Sequence, residues 1–119
     1  MAAAQKTLTI EQGSTWTYDV RWKPAKVNAW PDLTPTGHEA WLTVREGTNG
    51  PVWLSLSTDD DHITLTSEGW IHITLSAEET AELESKPNLQ HNLLLGLPSG
   101  IKRRITEGPV KLNVEVPRA

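Results

Sequence analysis

Apolar side chains return at every second position over most of this sequence, and that period constrains the fold more than any other feature. Trp16, Tyr18, Val20 and Trp22 alternate with Thr17, Asp19 and Arg21; Ile71, Ile73 and Leu75 alternate with His72 and Thr74. Val110, Leu112, Val114 and Val116 alternate with Lys111, Asn113 and Glu115. A strand sends successive side chains to opposite faces, so each run predicts a strand with one buried face. Shorter runs fall around Leu8 and Ile10, Ala40 to Val44, Val52 to Leu56, Ile63 and Leu65, Leu89 to Leu97, and Ile101 to Ile105. The core is expected to take Trp16, Tyr18, Val20 and Trp22 from one strand.

Turn residues punctuate these runs. Gly13-Ser14, Gly47-Thr48-Asn49-Gly50-Pro51, Ser67-Glu68-Gly69 and Pro98-Ser99-Gly100 supply fixed or positive φ where the chain must reverse, and Gly108-Pro109 is expected to start the last strand. The expectation is an all-β fold: a two-sheet antiparallel β-sandwich of roughly 8–9 strands in one domain spanning 1–119. One segment departs from the period. Over 76–84, Ser76 precedes Ala77-Glu78-Glu79, and Glu79 lies where it can reach back to the Ser76 N–H, so a short helix with a capping box is predicted. Residues 23–37 form the longest irregular stretch, holding Pro24, Pro31 and Pro35 with Trp30 between Ala29 and Pro31. Loops of that length in a compact domain are usually functional or mobile.

Composition removes several classes of function. The absence of cysteine excludes disulfides and thiolate metal sites. A net charge of −4 argues against nucleic acid as a partner, and the single basic cluster, Lys102-Arg103-Arg104, is read as a solvated strand face or a protein contact. No apolar run approaches a membrane span, and the first residues lack the apolar stretch of a signal peptide, so a soluble protein without an export signal is expected. No cofactor is expected, and no catalytic or metal residues are nominated. His38, His62, His72 and His91 are scattered, without the spacing of a zinc site. Asp59-Asp60-Asp61-His62 lacks the alternating oxygen ligands of a calcium loop and is read as a polar hairpin turn. Neither a nucleophile motif nor a phosphate loop is present, so an enzyme is not expected.

The aromatic composition is lopsided: six Trp, one Tyr and no Phe. Trp combines a large apolar ring with an N–H that wants a partner, and it is enriched at interface hot spots. Trp41 and Trp53 oppose the aliphatic faces of their strands, Trp70 shares an outer face with His72 and Thr74, and Trp30 lies in the long loop. Trp30, Trp41, Trp53 and Trp70 are therefore the candidate interface residues, against the alternative that Trp41 and Trp53 are ordinary core under a covered second face. Trp30 is expected to lead the 23–37 loop into contact with a neighbouring subunit, against the alternative that it plugs its own domain.

Four landmarks in order carry a resemblance. They are Ile10-Glu11-Gln12-Gly13 before a Trp/Tyr strand; Asp32-Leu33-Thr34, then Gly37 and a strand ending Val44-Arg45; the hairpin from Asp61-His62-Ile63 to Gly69-Trp70-Ile71 running into Leu75-Ser76-Ala77; and Leu97-Pro98-Ser99-Gly100 leading to Gly108 and a strand ending Val114-Glu115-Val116. The chain resembles the β-sandwich domain of phage tail and baseplate proteins. It is similar to the N-terminal domain of baseplate upper proteins, and closer to the LtfC-like domain of minor tail proteins of actinobacterial phages. It departs where Pro35 and Thr36 separate the Asp-Leu-Thr turn from Gly37, and where His91-Asn92-Leu93 replaces a Tyr-Asp-Leu strand. The resemblance implies a minor tail or baseplate protein of the virion, made in the host bacterial cytoplasm. It would mediate assembly or fibre attachment and contact other phage structural proteins and copies of itself. The rival readings are a carbohydrate-binding sandwich module, which would stack sugars on exposed Trp, and a capsid decoration protein.

Overall fold

The computed structural model describes residues 4–23, 29–34, 36–47 and 49–114. Nine strands and one short helix follow in the order β1 (Ala4–Gln5), β2 (Leu8–Glu11), β3 (Trp16–Arg21), β4 (Glu39–Glu46), β5 (Val52–Ser57), β6 (Ile63–Leu65), β7 (Trp70–Leu75), α1 (Ala77–Ala81), β8 (Leu89–Gly96) and β9 (Lys102–Asn113). The larger sheet runs β1-β9-β8-β4-β5, with β2 also on β9, and the smaller runs β3-β7-β6. The inward residues of both sheets share one core. Leu42, Val44, Leu93 and Leu95 come from the large sheet, and Ile71, Ile73, Leu75 and Trp16 from the small one. The fold is the expected all-β sandwich, and no helix among the described residues is long and apolar enough to cross a membrane.

Several expectations need correction. The sandwich is not wholly antiparallel, because β1 and β2 both pair parallel with β9. The segments around Ile101–Ile105 and Val110–Val116 are not two strands but the single β9, which ends at Asn113; Glu115 and Val116 lie outside the described residues. The register between β8 and β9 shifts at Leu93/Leu94, leaving Ile105 as an extra residue, so Ile105 and Thr106 are both buried and the inward phase flips. A bulge of this kind lets a strand carry two phases, which reads in sequence as two strands. Gly108-Pro109 lies inside β9 rather than at its start. There Gly108 adopts φ 147°, and a Cβ would fall 2.2 Å from the Lys6 carbonyl oxygen, so this crossing of β9 past the β1–β2 connection requires glycine. The helix is shorter than 76–84, but its capping box is present: Ser76 Oγ accepts from Glu79 N–H at 3.1 Å and Glu79 accepts from Ser76 N–H at 3.0 Å. Trp16 is fully in the core, whereas Tyr18, Val20 and Trp22 pack against it half-buried.

The turn 58–62 is not a hairpin turn, since β5 belongs to the large sheet and β6 to the small one; it crosses between them. His62 holds it, with Nδ1 donating to Asp60 at 2.7 Å and Nε2 to Glu79 of the capping box. Two carboxylate acceptors require both ring nitrogens to carry protons, so this geometry belongs to the imidazolium form.

Candidate interaction face

The register of β3 against β7 builds the outer face of the small sheet. Trp16, Tyr18 and Val20 pair with Leu75, Ile73 and Ile71 on the core side. The intervening pairs must then point outward together: Thr17 with Thr74, Asp19 with His72, and Arg21 with Trp70. Opposed side chains on one face lie close enough to interact, and these do. His72 Nδ1 donates to Asp19 at 2.7 Å, and the Trp70 and His72 rings stack 5.8 Å apart at 10° between planes.

Trp30 completes this face from the loop. The segment 30–34 is pinned at Leu33 and shaped by a local turn at Asp32. Leu33 is buried in the core and its N–H donates to Thr66 at 2.9 Å, while Asp32 Oδ1 accepts from Thr34 N–H in a local turn. Gly69, in the β6–β7 turn at φ 81°, has Trp22, Trp30 and Pro31 so near that a Cβ would meet all three. Trp30 is thereby laid over the sheet with 41% of its surface exposed. The Arg21 guanidinium sits 3.9 Å from the Trp30 ring centroid and 5.3 Å from that of Trp70, and Lys23 Nζ lies 5.2 Å from Trp30. Arg21 is fixed from behind by its Nε–H donating to the Glu68 carbonyl at 2.8 Å. The result is a ladder of Lys23, Trp30, Arg21, Trp70 and His72, each member touching the next. Cations over indole faces are attracted by the ring quadrupole, worth about 0.5–1 kcal/mol each at exposed sites.

The four candidate Trp residues do not form one surface. Trp30 and Trp70 meet through Arg21. Trp41 lies on the outer face of the large sheet, seated against Gly96, where a Cβ would come within 3.0 Å of its ring, and capped by Lys102 Nζ at 5.2 Å. Trp53 sits where the β4–β5 register shifts; it packs partly buried against the core and its Nε1–H donates to the Glu84 carbonyl at 2.7 Å. The remainder of the 23–37 loop includes residues 24–28 and 35, which lie outside the described residues. Arg21 and Lys23 were not singled out in the sequence. Arg21 shows there as an outward position of β3, but its opposition to Trp70 depends on a pairing register that one strand alone does not disclose.

Compared with known proteins, the chain matches no family model and no curated protein.

Two other polar groupings are engaged within the chain. His91 is buried between the sheets, its Nδ1–H donating to the Gly108 carbonyl at 2.9 Å. That leaves Nε2 to accept from the Thr106 hydroxyl at 3.1 Å, and Thr106 Oγ1 accepts in turn from Tyr18 at 3.2 Å. Burial pushes the imidazole below its ordinary value, which suits this neutral tautomer. Burial also raises the Tyr18 hydroxyl, against the hydrogen bond to Thr106, which lowers it. A polar pocket of about 180 Å³ lies nearby, lined by Arg45, Gln90, Asn92, Arg104 and Glu107 among others. Its arginines bond within the chain, Arg104 to Glu107 at 3.3 Å and Arg45 to the Gly50 carbonyl at 3.2 Å. Among the described residues, no cluster of His, Asp and Glu is arranged to hold a metal ion.

Proposed function

We propose that this chain is a structural subunit of a bacteriophage tail, a minor tail or baseplate protein that works by protein contact and not by catalysis. The observation that carries the contact reading is the ladder on the outer face of the small sheet. Trp and Arg are the residue types that dominate binding energy at protein interfaces. Here Arg21 is held between two indoles and a carbonyl, so little of its rotamer freedom remains to be lost on docking. The assignment to a phage tail rests on the order of the four sequence landmarks.

The same geometry weighs against a sugar-binding platform. Sugars stack on open, coplanar ring faces, and here Arg21 lies over both Trp30 and Trp70. Purified virions, probed by mass spectrometry and labelled antibody, test the proposal. The chain is expected in washed particles, with label at the tail. Its absence from particles, or tight binding to host cell-wall glycan by the isolated protein, would overturn the reading.

A further inference from the structure

We propose that the Arg21–Trp30–Trp70 end of the small sheet docks on the acidic end of a second copy of this chain, joining copies head to tail. The inference rests on the reading of the ladder as a protein-contact face, and it names the occupant. Arg21 pairs with Trp70 at one end of β7. The strand then runs six residues, roughly 17 Å, to Leu75, where α1 and the turn 58–62 gather. At that far end Asp59, Asp61, Glu78 and Glu82 are exposed. Asp60 and Glu79 are held by His62, but among the described residues none of these other four carboxylates has a cationic partner.

The near end shows the converse. Among the described residues, Arg21 and Lys23 have no carboxylate partner. Asp19 is bonded by His72 and Asp32 by Thr34, and Glu68 meets Arg21 through its backbone carbonyl. The two sets lie at opposite ends of one strand, so they do not meet within a chain. An antiparallel two-fold pair makes both junctions between the same two copies and closes at a dimer, whereas a head-to-tail contact makes one junction per pair of copies, leaves one end of each free, and repeats into rings or filaments. Trp30 supplies the apolar part of the junction, next to the charges that fix its register.

Sedimentation velocity of the whole chain at low ionic strength tests this with three proteins: wild type, Arg21→Gln/Lys23→Gln, and Asp59→Asn/Asp61→Asn. Wild type is expected to gain mass with concentration and to lose it at about 0.5 M salt, where charges are screened within a few ångströms. Each variant alone is expected to associate at least about tenfold more weakly. Mixed in equal amounts, the two variants retain one intact junction and are expected to form a pair that does not grow. A wild type that stays monomeric or stops at a dimer, variants that associate as wild type does, or a mixture that fails to pair would each overturn the proposal. The Asp59/Asp61 variant changes only exposed turn residues, so it carries the test if the Arg21 variant folds poorly. A monomeric wild type still found in virions would overturn head-to-tail docking alone; head-to-tail chains of a protein absent from virions would overturn the tail reading alone.

Discussion

At the residue scale, two histidines respond to pH in opposite directions. Burial holds His91 below the ordinary imidazole value of 6.5, outweighing the Gly108 carbonyl and the Glu107 charge, which raise it. On acidification the unfolded chain takes up the proton first, so the stability His91 contributes is complete above 6.5 and is lost as pH falls below it. For His62, burial acts downward, but the hydrogen bonds and charges of Glu79 and Asp60 outweigh it and raise the value. Its contribution is complete below 6.5 and is lost as pH rises through the raised value. The carboxylates that hold His62 set the other limit of the latch. Asp60, raised by burial but lowered further by its bonds from His62 and Ser57, and Glu79, lowered first by the Ser76 N–H and then by His62, both sit below the carboxylate range. Their contribution is present at neutral pH and fails only in acid. Urea midpoints measured across pH are expected to lose the decline that sets in just below 6.5 in His91→Gln, leaving the carboxylate loss at lower pH, and to lose their alkaline decline in His62→Gln. The alkaline decline is the shallower of the two, because His62 is partly exposed and screened. An unchanged acid slope in His91→Gln would contradict the neutral, buried assignment. Thr106→Val is expected to cost about 1–3 kcal/mol, because it strands both the Tyr18 hydroxyl and His91 Nε2. A midpoint unmoved by this change would contradict the relay.

At the scale of elements, the clearest signals in the sequence were those that a single strand or turn carries by itself. The alternation of β3 and β7 showed which side chains face in, and Ser76 with Glu79 announced the helix start. What depends on pairing between distant segments was not legible. The parallel docking of β1 and β2, the Ile105 bulge that fuses two apparent strands into β9, and the meeting of Arg21 with Trp30 and Trp70 all arise from register. Leu33, named within the Asp32-Leu33-Thr34 landmark, could not be placed in the core because it is a lone apolar residue in a loop, without the periodicity that flags a core position. Two substitutions test the elements. Ser76→Ala removes the cap and is expected to cost about 1 kcal/mol in equilibrium unfolding. Gly108→Ala places a methyl group against the Lys6 carbonyl at an unfavourable φ, and is expected to cost on the order of 1–3 kcal/mol. It should also expose the Lys6 amide, which donates to the Glu107 carbonyl, to faster hydrogen exchange. Unchanged protection at Lys6 would contradict the close crossing of β9 past this edge.

At the scale of the whole molecule, the two sheets divide the work. The large sheet, with β9 spanning its length, supplies most of the core, while the small sheet leaves one face open and lays Trp30 and Arg21 across it. The account's central claim is that this face exists for assembly and not for the stability of the single chain. The most direct measurement is the amount of Trp30→Ala incorporated per phage particle, read by quantitative mass spectrometry beside the unfolding free energy of the isolated variant. Stability is expected to change by no more than about 2 kcal/mol, the loss of two exposed cation–π contacts, from Arg21 and Lys23. Incorporation is expected to fall severalfold. Full incorporation of Trp30→Ala, or a loss of incorporation that merely follows an unfolded variant, would contradict the account.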